Sequence, residues 1–315
     1  DIDADFDQLD IDNLNGKLSI TNTLVALETE QFPLDSLNLI AINTPENNSI
    51  KLNSQFTNVA LEGKFKLSQL QDALMQSISN YYDLNAKKTA TTEPQQLDFK
   101  IQLKDEPLLM KIIPELKNMS AILIEGTYNS ENDTIQVNGI IPKIDYNGTV
   151  LTNASLKINK EENALVYSLI VDDLKNASLQ LPYTNISGKV AENTVEYVLQ
   201  LKDIKDVERY LLSGTLKNVD GSSEVAFLND NLKLNYEKWQ IDDNNRIKLG
   251  PNGIYITDFI ITNNANQFSV QSESEKENAP IAIDFKDFDL KTLTNIVESN
   301  FEFGGKINGT TQVSN

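Results

Sequence analysis

The amino-acid sequence predicts a mainly β protein, an antiparallel sheet with a few short helices. Apolar and polar residues alternate in many short runs, which is typical of strands with one buried face. Polar turn sequences separate these runs at intervals of roughly 8–12 residues, which is typical of antiparallel meanders. Of the 315 residues, 40% are hydrophobic and 23% are charged, so a folded protein is expected rather than a disordered one.

The candidate apolar lining consists of the residues on the apolar side of each alternating run. The clearest run is Leu97, Phe99, Ile101 and Leu103, with three polar residues opposite. The full set is Ile50, Leu52, Phe65, Leu97, Phe99, Ile101, Leu103, Ile135, Val137, Leu165, Tyr167, Leu169, Tyr197, Leu199, Ile281, Ile283, Phe285, Phe301 and Phe303. Alternation predicts that one face is dry, but either a second sheet or a ligand could cover that face.

Four stretches break the period of two and predict short helices. Ser68 is expected to cap a helix that carries Leu70, Leu74, Ile78 and Tyr82 on one stripe. Pro107 suits the first position of a second helix. The other two are residues 203–212 and a stretch capped by Asp289 that carries Leu293, Ile296 and Val297. Turns are expected at residues 45–48, 129–133, 159–163 and 263–266.

Composition argues against most catalysis. The chain has no cysteine and no histidine, which removes thiol nucleophiles, Ser-His-Asp triads and the commonest zinc sites. A net charge of −19 repels phosphate backbones, so no nucleic-acid partner is expected. Because no run approaches ~18 apolar residues, no transmembrane span is predicted.

The remaining candidates for chemistry have simpler structural readings. Asp1, Asp3, Asp5 and Asp7 alternate like calcium-loop ligands, but the Gly and Glu that such a loop needs do not follow at the required positions. They read better as an outward-facing acidic strand. Nothing marks two carboxylates as a glycosidase pair. Tyr236 and Trp239 are read as anchors of a turn in the core, with a groove-edge contact as the alternative. No catalytic residue, metal or cofactor is therefore expected, and the chain is predicted not to be an enzyme.

Several stretches share a layout with one known family. Residues 49–70 read as alternating strand, Ser, alternating strand, Gly-Lys-Phe and a short helix. Residues 279–297 and 301–310 read as Pro, strand, a Leu-x-x-Leu helix and a strand containing Gly-Lys-Ile-Asn-Gly. Further matches are residues 14–22, 141–146, 234–247 and 253–257, of which Tyr236, Trp239 and Asn245 are the most specific. This layout resembles the TamB family of translocation and assembly module proteins, in the AsmA-like superfamily, most closely the forms found in Bacteroidota.

The resemblance implies an elongated, curled antiparallel sheet shaped like a trough, or "taco", in the periplasm. Its apolar groove would conduct phospholipids between the inner and outer membranes in support of outer-membrane biogenesis. The resemblance also implies an internal piece of a parent anchored in the inner membrane. An Omp85-family outer-membrane barrel would be a partner through parts outside this sequence. The alternative is a β-rich structural or adhesin-like extracytoplasmic protein with a closed sandwich core.

The repetitive pattern runs over the whole chain. Residues 1–315 therefore read as one elongated β segment, with sub-units at 1–90, 91–215 and 216–315.

Overall fold

The computed structural model describes residues 1–27, 30–83, 92–177, 180–219, 221–293 and 304–314. Most of these residues lie in antiparallel strands, and two α-helices accompany them, which confirms a mainly β protein with short helices. The chain forms two compact units, Asp1–Asn80 with Ala86–Tyr167, and Tyr81–Asn85 with Ser168–Asn315.

The first unit contains ten complete strands and both α-helices within the described residues. In chain order they are β1 (Ile2–Gln8), β2 (Asn15–Leu27), β3 (Glu30–Asn43), β4 (Asn48–Ser54), β5 (Thr57–Lys64), α1 (Leu70–Ser79), β6 (Gln96–Leu103), α2 (Pro107–Ile112), β7 (Leu116–Met119), β8 (Ile122–Asn129), β9 (Thr134–Tyr146) and β10 (Thr149–Glu161). β11 (Ala164–Lys175) begins in this unit and ends in the second.

The strands of the first unit follow one another as an antiparallel meander. Strands β1 to β6 pair in sequence, β6 pairs with β8, and β8, β9 and β10 complete the order. The short strand β7 also pairs with β9, at Leu116 opposite Tyr146. Neighbours in the sheet are thus mostly neighbours in sequence.

The pairing register separates an apolar face from a polar face. One row runs Ile50, Leu61, Phe99, Gly126 and Val137 across five strands, because each residue lies opposite the next. The adjacent row on the other side of the sheet runs through polar residues: Ser49, Glu62, Asp98, Thr127 and Gln136. Since side chains alternate across a strand, these rows point to opposite faces. We call the first side the apolar face.

The strands of the second unit follow β11 in chain order and vary in length from two to twelve residues. They are β12 (Gln180–Ala191), β13 (Thr194–Lys202), β14 (Glu208–Val219), β15 (Ser222–Phe227), β16 (Lys233–Leu234), β17 (Glu237–Lys238), β18 (Gln240–Ile241), β19 (Arg246–Gly250), β20 (Gly253–Thr257), β21 (Phe259–Asn263), β22 (Asn266–Ser272), β23 (Ile281–Asp289) and β24 (Lys306–Val313). A 3-10 turn occupies Leu290–Leu293.

Two sheets build this second unit. In the first, β12, β13, β14, β15, β19 and β20 pair antiparallel in that order, and β16 with β17 extends the edge of β14. In the second, β18, β21, β22, β23 and β24 pair in order.

Aromatic residues from both sheets share one core. Leu232, Trp239, Ile241, Ile261 and Phe288 are buried together. Residues packed against them come from the first sheet and from the second: Leu212, Phe227, Leu234, Phe259, Phe268 and Phe285. Ring centroids lie 5.6 Å apart for Phe227 and Phe259 and 5.1 Å apart for Phe268 and Phe285. The first of these contacts joins the two sheets of this unit, whereas Phe268 and Phe285 both belong to the second sheet.

The turn predictions are confirmed, and the helix predictions are confirmed in part. Turns lie at each of the four expected places, and positive φ angles occur at Asp133, Glu162 and Asn264. Pro107 stands at the start of α2, as expected. α1 forms but begins at Leu70 after Gln69, without a side-chain cap, and ends before Tyr82. Ser68 does not cap it, because the Ser68 hydroxyl donates instead to Asp12 at 2.6 Å.

The helix predicted at residues 203–212 is wrong. Asp203 accepts hydrogen bonds from the backbone N–H groups of Lys205 and Val207, at 2.9 and 3.0 Å, which closes a turn. The chain then enters β14, where Leu201 lies opposite Tyr210 and Leu199 opposite Leu212. At Asp289 the backbone N–H of Lys291 donates to the carboxylate at 2.9 Å, and the 3-10 turn follows. Ile296 and Val297 lie outside the described residues.

Candidate functional site

The middle of the apolar face in the first unit keeps its side chains half-exposed. We call this surface the central band and define it by half-buried residues of five strands: Leu52, Val59, Leu61, Phe99, Ile101, Ile124 and Val137. The register puts Val59, Ile101 and Ile124 in one row. A row of aliphatic side chains with accessible surface can hold apolar ligand groups by removing them from water.

One end of the apolar face lies beneath α1. The hydroxyls of Ser77 on α1 and Tyr128 on β8 lie 3.1 Å apart, and either can donate. Ser77 is 2% exposed and Tyr128 5%, and Tyr128 lies opposite the buried Leu97. Burial raises the pKa of the Tyr128 hydroxyl, so it stays protonated and can donate. We call this covered end the α1 cap.

A polar network surrounds the α1 cap. The side chain of Gln95, 1% exposed, accepts from the backbone N–H of Lys66 at 2.7 Å and donates to the carbonyl of Glu93 at 2.8 Å. Its own backbone N–H donates to the hydroxyl of Ser130 at 2.8 Å. The Lys66 ammonium pairs with the Glu93 carboxylate at the surface. This end of the face is therefore bordered by polar and charged groups.

The segment before β2 is tied to the same end. Asp12 accepts from both the hydroxyl and the backbone N–H of Ser68, at 2.6 and 2.9 Å. The hydrogen bond from the Ser68 hydroxyl lowers the pKa of the Asp12 carboxyl. Phe65, 3% exposed, is fixed nearby because its carbonyl accepts from the Asn48 amide at 2.6 Å. Phe65 thus belongs to the buried end of the face.

The other end of the apolar face lies beneath α2. Leu109 is buried in one cluster with Leu116, Met119 and Ile122. Leu103 and Ile124 of the face pack against this cluster, together with Phe56, Met110, Ile113, Ile141 and Ile144. The side chains of this cluster are all apolar, so we call this end the α2 cap.

α2 reaches across several strands. It follows β6, yet the Lys111 ammonium lies 5.8 Å from the ring centroid of Phe32 on β3. In a flat sheet β3 and β6 would be three strand spacings apart, or about 14 Å. The α2 cap therefore borders the ends of four consecutive strands.

Glycine allows an aromatic ring to lie close to the strand next to it. A Cβ atom at Gly126 would overlap the Gln136 carbonyl oxygen and lie 2.8 Å from Cζ of Phe99. In the second unit, a Cβ at Gly214 would overlap the Tyr197 hydroxyl. Both glycines lie directly opposite the aromatic residue. The ring covers the exposed backbone, a pairing that stabilises glycine within strands.

The predicted lining residues fall into several surroundings. Ile50, Leu52, Phe99, Ile101, Leu103 and Val137 are half-buried on the apolar face of the first unit, whereas Phe65, Leu97 and Ile135 are buried there. On β11, Leu165 is buried and Tyr167 and Leu169 are half-buried. Tyr197 and Leu199 lie on the first sheet of the second unit, and Ile281, Ile283 and Phe285 on its second sheet. Phe301 and Phe303 lie outside the described residues.

The sequence reasoning did not include several members of the face. Leu39 on β3 lies opposite Leu52, and Leu156 on β10 lies opposite Gly139. The alternation of Leu37, Leu39 and Ala41 carries a signal that could have identified Leu39. Leu156 also alternates with Ile158, but nothing else in the sequence marks either residue as lining.

The Tyr236–Asn245 stretch is structural. Trp239, 3% exposed, is buried in the aromatic core, so the core reading is confirmed for this residue. Tyr236 is exposed, and its hydroxyl donates to Asp203 at 2.9 Å. Asn245 is fully buried, and its amide group both accepts from the Phe227 N–H and donates to the Phe227 carbonyl, each at 2.8 Å. The hydrogen bonds of Asn245 therefore hold the C-terminal end of β15 in place.

Neither a metal cluster nor a membrane-spanning helix occurs among the residues that the structure describes. No protein-family model, curated protein or solved structure matches the chain.

Proposed function

We propose that this chain is a non-catalytic, lipid-conducting segment whose central band holds the acyl chains of phospholipids. The observation that carries the proposal is the row of half-exposed aliphatic side chains, aligned by register across the first unit. Each methylene removed from water contributes about 0.8 kcal/mol, so a continuous band can hold chains without a specific pocket. A uniform lining favours sliding over trapping.

The covered ends support a path across the strands. Because the α1 cap and the α2 cap border the band at the two strand ends, the direction left to a ligand runs from strand to strand. A sheet that curled toward the apolar face would turn this path into the trough that the TamB-like layout implies.

The same proposal gives the setting. The segment would lie in the periplasm, within a parent anchored in the inner membrane. Other parts of that parent would engage an Omp85-family barrel, in support of outer-membrane biogenesis. The zero cysteine count fits an extracytoplasmic compartment, where stray thiols oxidise.

Photocrosslinking tests the proposal at neighbouring residues of opposite faces. We expect p-benzoylphenylalanine at Phe99 or Val137 to form adducts with phospholipid in the purified chain, detected by mass spectrometry. The matched controls are Lys100 and Gln136, the adjacent exposed positions on the polar face. Equal labelling at Phe99 and Lys100, or the absence of any lipid adduct, would overturn the proposal.

The alternative is a structural or adhesin-like protein with a closed core, and one observation favours it in the second unit. There Phe227 of the first sheet and Phe259 of the second share one buried core, with ring centroids 5.6 Å apart, and Phe268 packs against the same core. If the second unit has a closed core, phospholipid binds only to the first unit or to neither unit. Photocrosslinking at Tyr197 and Leu199 tests the closed core, which predicts no lipid adduct at either position, while Phe99 and Val137 report whether the first unit binds lipid.

A further inference from the structure

The turn between β13 and β14 differs in composition from the four turns that the sequence predicts. Those four contain no large apolar side chain, whereas residues 203–207 include Ile204 and Val207. Ile204 is 85% exposed, more than any other large hydrophobic residue in the described part of the chain, and Val207 is 49% exposed. Since hairpin turns usually place polar side chains in water, two β-branched residues at this turn indicate a contact outside the chain.

Hydrogen bonds fix the backbone of this turn. The Asp203 carboxylate accepts from the backbone N–H groups of Lys205 and Val207, at 2.9 and 3.0 Å. The Asp203 backbone N–H donates to the Val207 carbonyl at 2.9 Å, and the Asp206 N–H donates to the Asp203 carbonyl at 3.0 Å. Because these bonds order five consecutive residues, Ile204 is held in water at the end of a rigid hairpin.

A second hairpin turn lies beside the first. Tyr236, between β16 and β17, donates from its hydroxyl to Asp203 at 2.9 Å and from its backbone N–H to the Arg209 carbonyl at 2.8 Å. Its ring is 45% exposed, and the Arg209 guanidinium lies 5.5 Å from the ring centroid. Tyrosine suits a boundary between water and lipid, because it has an apolar ring and a polar hydroxyl. We call Ile204, Val207 and Tyr236 the apolar tip.

The charge around the apolar tip differs from that of the whole chain. Residues 202–209 and 233–238 carry five basic and four acidic side chains, although the net charge of the chain is −19. These two hairpins therefore lack the local excess of negative charge that would repel an anionic lipid surface. Lys205 is exposed next to Ile204, and its long stem can keep the ammonium group hydrated while Ile204 leaves water.

We propose that the apolar tip inserts into the interfacial region of a phospholipid bilayer. A bilayer can surround a narrow convex tip, whereas a stable protein interface needs about 800 Å² on each partner, more than three side chains supply. This inference concerns the second unit and does not depend on the central band holding lipid.

Fluorescence from single cysteines tests the insertion, because the native chain has no cysteine to interfere. Ile204→Cys reports from the tip, and Leu249→Cys, 45% exposed on β19, is the control. Leu249 lies opposite Ser223, which lies opposite Asn218 near the other end of β14. Each variant carries an environment-sensitive nitrobenzoxadiazole label and is mixed with vesicles of phosphatidylcholine and phosphatidylglycerol in equal amounts.

We expect the label at position 204 to gain intensity and shift to shorter wavelength when vesicles are added, whereas the label at position 249 should not change. An unchanged label at position 204, or equal changes at the two positions, would overturn the insertion. A response at position 204 that grows with protein concentration in the absence of vesicles would assign the tip to a second copy of the chain and would also overturn it.

Cosedimentation with the same vesicles measures what the tip contributes to binding. We expect Ile204→Ser to weaken binding about tenfold, since burying one large aliphatic side chain contributes roughly that factor. Leu249→Ser should bind as the native chain does. The proposal fails if Ile204→Ser binds as tightly as the native chain, or if the two serine variants lose binding equally.

Discussion

At the scale of single residues, position 126 shows how two strands and one ring restrict a side chain. Gly126 on β8 lies opposite Phe99 on β6 and opposite Val137 on β9. An added methyl group would overlap the Gln136 carbonyl and crowd the Phe99 ring. Because the carbonyl belongs to the backbone, it cannot move aside without shifting β9. Glycine is therefore required here for packing.

The substitution Gly126→Ala should lower the free energy of unfolding by about 1–3 kcal/mol, the usual cost of overpacking. Urea denaturation followed by circular dichroism measures this loss. Gly139→Ala is the matched control on the next strand of the same face. Its added methyl group would meet Leu156 Cβ at 3.4 Å, an ordinary contact. Equal losses for both variants would contradict the steric account.

At the scale of elements, the sequence predicted the helix start and the turns that contacts within a few residues determine. Proline at the start of α2 and the polar hairpin turns act within a few residues, and the structure has them where the sequence places them. Residues 203–212 failed because Ile204, Val207, Tyr210 and Leu211 match a helical stripe. Pairing with β13 decides that stretch, and that contact is not encoded locally.

The two caps depend on contacts between residues distant in sequence, which explains why alternation could not predict them. Asp12 bonds to Ser68, and Lys111 reaches Phe32. The period of two identified Phe65, Leu97 and Ile135 as inward-facing, but it could not separate them from half-exposed Phe99 and Ile101. Only the placement of α1 and α2 over the sheet makes that distinction.

Leu109 should be the residue that fastens α2. It is 7% exposed and packs with Leu116, Met119 and Ile122. We expect Leu109→Ala to lower the free energy of unfolding by about 2–5 kcal/mol, through lost burial and a residual cavity. Ile112→Ala in the same helix is the control, because Ile112 is 52% exposed and loses little burial. The account fails if denaturant unfolding gives the two variants the same loss.

At the scale of the whole molecule, the two units use apolar residues differently. The first unit presents a single sheet whose band is aliphatic except for Phe99. In the second, Phe227 of one sheet and Phe259 of the other share one core, with ring centroids 5.6 Å apart. The sequence shows the same alternation in both, because the period reports which side of a strand is dry. What lies against that side is decided by strands distant in sequence, as for Phe259 on β21, whose ring contacts that of Phe227 on β15.

Titratable groups in the two units make the chain less stable at acid pH and at alkaline pH. On the acid side, the hydrogen bond from Lys233 lowers the pKa of Glu208 below its ordinary value of 4.5. The stability that this pair contributes is present above that value and is lost as the pH falls through the lowered pKa. On the alkaline side, burial raises the pKa of Tyr128 and Tyr210 above 10.0. Their contribution is complete below 10.0 and is lost as the pH rises through the raised values.

Stability measured against pH should therefore show a plateau between the ordinary carboxyl and tyrosine ranges, with a decline on each side. Glu208→Gln should flatten part of the acid decline, because the glutamine side chain does not titrate. Glu131→Gln, at an exposed hairpin, is the control and should leave the profile unchanged. Tyr210→Phe should flatten part of the alkaline decline in the same way. Urea midpoints across the pH range measure both effects. If the Glu208→Gln profile runs parallel to that of the native chain below pH 4.5, then the Lys233 pairing does not set the acid limit.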